Sequence, residues 1–152
     1  MSDERTPSMI EPDPDEETTE ILRKTIEAFD CTSGTLHRRD GDELTLVASV
    51  DIPEAVLSRI ERIPIGKGMA GLAAERAEPV DVCNLQTDDS GVAEEGARAT
   101  GMEGSLAAPI FGADDRVEGT IGIAKPERYE FRPDEREELM TIGRRVLDHD
   151  GA

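Results

Sequence analysis

From about Glu16 the apolar positions recur at helical spacing: Leu22, Ile26 and Phe29 share one face, Ile21 lies beside them, and Glu20, Arg23, Lys24 and Glu27 fall outside. The period then drops to two. Cys31 to Arg38 and Glu43 to Val50 read as extended arms around the turn residues Asp40-Gly41-Asp42. In the second arm Leu44, Leu46, Ala48 and Val50 alternate with more polar neighbours, the pattern of a half-buried antiparallel hairpin. Pro53 opens a short helix through Arg62 with Val56, Leu57 and Ile60 as its stripe, and Pro64 breaks it. Ile65-Gly66-Lys67-Gly68 predicts a tight loop, Met69 to Ala77 a second short helix, and Val80 to Cys83 a strand started by Pro79. Residues 84–103 are polar, carry Gly91, Gly96 and Gly101, and show no strand pattern; a loop of that length is usually a functional lid or a disordered segment. A second hairpin runs from Ser105 to Phe111 and from Val117 to Ala124 around Gly112 to Arg116. The final helix, about Pro133 to Asp148, places Leu139, Ile142 and Val146 on one stripe and Met140 and Leu147 on an adjacent one.

Hairpins at both ends with no βαβ alternation predict an α+β fold. Its centre is an antiparallel sheet of about five or six strands. The N- and C-terminal helices cover one face, and the short helices with the long loop cover the other. Residues 1–15, with Pro7, Pro12, Pro14 and many carboxylates, hold too little apolar surface to order themselves, so the folded domain is expected over 16–149.

Composition narrows the partners. The chain has 152 residues, the usual size of one domain, with 17 basic and 35 acidic side chains and a formal net charge of -18. Residues 1–20 supply -7 of that charge, so the body is still acidic at -11. Such a field repels phosphate backbones and anionic lipid, and with three Phe, one Tyr and no Trp there is no stacking platform for bases. Nucleic acid and membrane are therefore excluded as expected partners. Two cysteines, Cys31 and Cys83, make neither a disulfide framework nor metal-ligand spacing. The start Met-Ser-Asp-Glu-Arg lacks the regions of a signal peptide, and no apolar run approaches a membrane span, so a soluble cytoplasmic protein is expected.

Three stretches carry a family likeness. Ile63-Pro64-Ile65-Gly66-Lys67-Gly68-Met69-Ala70-Gly71-Leu72-Ala73-Ala74-Glu75 with Glu78-Pro79-Val80 is the first. Ser105-Leu106-Ala107-Ala108-Pro109-Ile110 followed by Val117-Glu118-Gly119-Thr120-Ile121-Gly122-Ile123 is the second, and Phe131-Arg132-Pro133-Asp134-Glu135 the third. Together, over roughly residues 20–148, they resemble a stand-alone bacterial-type GAF domain. The resemblance implies a GAF/PAS-like fold with a ligand pocket on the sheet face opposite the terminal helices, roofed by the short helices and the 84–103 loop. It also implies a sensory, signal-transducing role through a partner protein. Pro109 inside an apolar strand requires an edge, a bulge or a strand start. Gly119 and Gly122 suit a backbone that something approaches closely.

Candidate pocket residues are Met69, Cys83, Leu85, Gln86, Thr87, Asp88, Ser90, Arg98 and Ser105, with Asn84 adding to the loop's donors and acceptors. Arg98 suits a carboxylate or phosphate held by two hydrogen bonds. Gly66-x-Gly68-x-x-Gly71 formally matches a dinucleotide fingerprint, but it follows a helix ended by Arg62 and Pro64 rather than a buried strand. His37, beside Arg38, Arg39 and Asp40, and His149 near the C-terminus are expected on the surface, outside any metal cluster. The asparagine-lysine motif of cyclic-nucleotide binders and the cysteine of bilin binders have no counterpart here.

Three functions follow. The first is a non-catalytic domain that binds an unidentified small molecule and signals to a partner protein, its cofactor unnamed by the sequence. The second is a thiol enzyme of the free methionine-R-sulfoxide reductase type acting through Cys83. Those enzymes resemble this chain but carry a cysteine where it has Ala70, and further loop cysteines that it lacks, which argues against the activity. The third is a ligand-free interaction module, with the double stripe of the last helix pairing subunits into a homodimer.

Overall fold

A computed structural model describes residues 14–82, 102–112 and 114–151. Its elements in chain order are α1 (Pro14–Ala28), β1 (Ser33–Asp40), β2 (Glu43–Val50), α2 (Glu54–Ile60), β3 (Arg62–Pro64), α3 (Gly68–Arg76), β4 (Val80–Val82), β5 (Gly104–Phe111), β6 (Val117–Lys125) and α4 (Pro133–Gly151). The six strands form one sheet in the order β3-β2-β1-β6-β5-β4, every pair antiparallel. The α+β architecture expected from the pattern is the one observed.

The two hairpins meet through β1 and β6, where Leu36 pairs with Ile121. Leu36, Leu106, Ala108, Ile110, Ile121 and Ile123 point from the sheet into one apolar core with Leu22, Ile26 and Phe29 of α1 and its flank, and Leu139, Val146 and Leu147 of α4. The opposite face is covered by α3. Leu44 and Val117 pack there with Ala74, and Ala107 and Val80 with Ala73. Both faces of the sheet thus carry packed side chains.

Three features depart from the pattern. β3, absorbed by the sequence into the helix before it, pairs with the far edge of β2, Leu44 opposite Ile63, and is the sixth strand. A bulge in β2 falls at Val47, because Leu36 pairs with Ala48 but His37 with Leu46. The extra residue reverses the alternation, so Leu44 belongs to the α3 side while Ala48 and Val50 belong to the α1–α4 core. The single apolar face inferred for that arm is two half-faces. The adjacent stripe of α4 is also largely taken up within the chain: Leu147 is buried, and Met140 packs partly against the same core.

Pro109 behaves as its chemistry demands. β4 reaches only from Ser105 to Ala107 of β5, so at Pro109 the missing N–H faces an open edge while Thr120 of β6 lies on the paired side. No described helix is long and apolar enough to cross a membrane.

Candidate functional site

The loop into α3 is shaped by two glycines with positive φ, Gly66 at 98° and Gly68 at 65°. It is held by Ile65 N–H donating to Asp42 O (3.0 Å) and Lys67 N–H donating to Pro64 O (3.1 Å). Gly71 lets the helix close on β3, because a Cβ there would lie 2.6 Å from Pro64 O. These constraints fix α3 beside the sheet but leave a gap between its first turn, α2 and the strands. The dinucleotide-like glycines are therefore a structural turn, preceded by a three-residue antiparallel edge strand rather than the helix end the sequence suggested.

That gap is a cavity of about 580 Å³. Its floor is β1, β5 and β6 through Thr35, Ala107, Gly122 and Ala124, and its sides are Val56 and Ile60 of α2, Ile63 of β3 and Met69 and Ala70 of α3. Gly122 keeps the floor low: a Cβ there would meet Thr35 Oγ1 at 3.2 Å and project to the cavity side. The size is that of an ordinary small-molecule site. Among the sequence-predicted pocket residues, Met69 and Ser105 line it. Ser105 Oγ donates to Ile123 O at 3.4 Å. Cys83, Leu85, Gln86, Thr87, Asp88, Ser90 and Arg98 lie outside the described residues.

His37 is a correction. It lines the cavity and is 1 % exposed, not a surface residue. Its Nε2–H donates to Ile60 O at 2.9 Å, tying the C-terminal end of α2 to the sheet, while Nδ1 is buried with no described partner. Since a carbonyl only accepts, this bond fixes the Nε2–H tautomer of the neutral ring. Burial lowers the His37 pKa below its ordinary value of 6.5, against a smaller upward pull from the Ile60 carbonyl. The sequence carried the signal in its alternation: with Leu36 on one face, His37 must take the other, and in a sheet covered on both faces that is also interior. The side chain of His149 lies outside the described residues.

Cys31 sits on the other side of the sheet, in the α1–α4 core, with its thiol pushed up to about 12, chiefly by burial. It is chemically quiet there. No group of three or more potential metal ligands occurs among the described residues.

A family model for the GAF domain matches residues 11–146, nearly the whole chain. The chain belongs to the GAF domain family. Solved structures of similar fold include the GAF domain of a phosphoenolpyruvate-protein phosphotransferase from Coxiella burnetii, at 19% identity and a TM-score of 0.74, covering 93% of this chain and 84% of that one. Free methionine-R-sulfoxide reductase from Neisseria meningitidis in complex with its substrate is similar at 20% identity and a TM-score of 0.70, covering 93% and 81%. The type II enzyme from Thermoplasma acidophilum is similar at 13% identity and a TM-score of 0.67, covering 91% and 95%. No curated protein matches in sequence. At these identities the solved structures speak to the fold alone, which is shared by GAF domains of larger proteins and by reductases.

Proposed function

We infer that this chain is a non-catalytic sensory GAF domain that binds a small molecule in the cavity between the sheet and α2–α3 and passes that state to a partner protein. The observation that carries the reading is the cavity itself. It is walled by Met69, Val56 and Ile63, floored by a strand kept bare at Gly122, and bounded by α2, a short helix whose only buried residue is Val56. A weakly anchored roof over a bare floor is a geometry in which occupancy alters order, and change of order is a signal a partner can read. The test is native mass spectrometry of the purified chain followed by thermal shift against a broad metabolite panel. A copurified molecule, or stabilisation that Gly122→Val abolishes, supports the reading; an empty protein unmoved by every compound defeats it.

The shared fold of the free methionine-R-sulfoxide reductases favours a thiol enzyme as the second reading. Two features weigh against it: α3 has Ala70 on the cavity wall, and Cys31 lies across the sheet from the cavity. Only Cys83 is left as a nucleophile. If the purified chain reduces free methionine sulfoxide and Cys83→Ser abolishes that turnover, the enzyme reading replaces the sensory one. Homodimerisation through α1 and α4 is the remaining proposal, and a dimer mass by light scattering at micromolar concentration supports it.

A further inference from the structure

The charges around the cavity run against those of the chain. With 35 acidic and 17 basic residues, a random wall would carry about two carboxylates for every cation. No described Asp or Glu lines the cavity, whereas Arg59 of α2, Arg62 of β3 and Lys67 before α3 do. Arg62 is already neutralised, by Glu43 at 2.7 Å and Asp40 at 3.2 Å. Arg59 and Lys67 have no ion pair among the described residues and are exposed at the rim.

The backbone adds to this. Lys67 stands at the N-cap of α3 without a side-chain cap, and no acidic residue occupies the first turn. The first backbone amide of that end to find a carbonyl is Gly71, which donates to Lys67 O at 3.0 Å. The N–H groups of Gly68, Met69 and Ala70 have no acceptor among the described residues, and all three residues line the cavity. A helix start concentrates partial positive charge on such donors. Elsewhere the wall is apolar at Val56, Ile63, Met69 and Ala107, with the neutral hydroxyls of Ser33, Thr35 and Ser105 beside them.

We propose that the cavity takes a small organic acid as its anion, the apolar body against the sheet and the carboxylate between Lys67, Arg59 and the first turn of α3. The assignment rests on the ligand-binding reading given above and narrows it to a chemical class. Carboxylate oxygens accept from amides and from both cations at once, and a floor of small apolar and neutral hydroxyl side chains gives no counter-charge to a ligand charged along its whole length.

The experiment titrates the full chain with matched probes, benzoate and hexanoate against benzamide, hexanamide and hexylamine, by calorimetry and by amide NMR. Carboxylates are expected to bind at least about tenfold more tightly than their amides, with hexylamine weaker still. The Gly68, Met69 and Ala70 amide signals move on benzoate addition. Arg59→Gln with Lys67→Gln lowers benzoate affinity by roughly tenfold and leaves benzamide unchanged, while Arg62→Gln changes either by less than about twofold. Amides or the amine binding as tightly as the acids would overturn the anion assignment while leaving a ligand site in place. So would a double variant that keeps full benzoate affinity, or benzoate binding with the α3 signals still. Binding by none of the five probes would overturn the assignment and count against the ligand-binding reading with it.

Discussion

His37→Ala removes the side chain that fastens α2 to the sheet. In the folded protein α2 is held by burial of Val56, by the Nε2–H bond from His37 to Ile60 O, and by Leu46 N–H donating to Glu61 O just beyond its end. A fully buried valine is worth about 2 kcal/mol and a neutral hydrogen bond about 1 kcal/mol, so the His37 bond is a large share of the local anchoring. Loss of about 1 kcal/mol raises the opening constant of α2 about fivefold. That increase should appear as faster hydrogen exchange at Val56 and Leu57 N–H, which donate to Pro53 O at 2.9 and 3.0 Å. Globally, the emptied ring space adds a cavity term, and urea unfolding should show a loss of about 2–4 kcal/mol. His37→Gln keeps an N–H at similar reach and should hold most of the α2 protection. The pH dependence has a definite sign. The folded-state pKa of His37 is lowered, so between that value and the ordinary 6.5 the unfolded chain binds the extra proton and stability falls as the solution is acidified. The wild-type advantage over His37→Gln should therefore be complete above about pH 6.5 and shrink below it. Unchanged exchange at Val56 in His37→Ala, or a Gln variant as damaged as the Ala one, would refute the strut.

Other expectations follow from single residues. Ala77 closes α3 at φ 57°, a left-handed position without glycine, so Ala77→Gly should raise stability by about 0.5–1 kcal/mol in denaturant unfolding. Arg136 holds the part-buried Asp81 at 3.0 Å, binding α4 to β4, and burial still keeps the Asp81 carboxyl above its ordinary pKa. Arg136→Met should therefore cost about 2 kcal/mol, and adding Asp81→Asn should restore part of it; additive losses would contradict the pairing. Cys31, with its pKa near 12 in the core, should resist a thiol reagent at pH 8 until the protein unfolds; rapid native-state labelling in Cys83→Ser would contradict its burial.

Much of this fold was legible because local rules agreed. The helix stripe of Leu22, Ile26 and Phe29, the turn at Gly41 and the punctuation of Gly66, Gly68 and Pro79 each specify structure within a few residues. The residues that were misread depend on distant neighbours. β3 is too short for any period to show, and it exists because β2 offers a free edge to Ile63. His37 looks solvated beside Arg38 and Arg39, yet Arg38 reaches across to Leu147 O of α4 while His37 turns to the cavity.

The amino-acid order alone determined the antiparallel class and the family, and it pointed to Met69 and Ser105, which line the cavity, since each follows from periodicity, turn chemistry or a contiguous motif. Only the tertiary structure decided which face each half of β2 serves, that His37 is a buried tie, and that Arg59, Lys67 and the first turn of α3 converge on one opening. Convergence of that kind is a property of packing: segments that share no local pattern are brought together only when the sheet closes and both of its faces are covered.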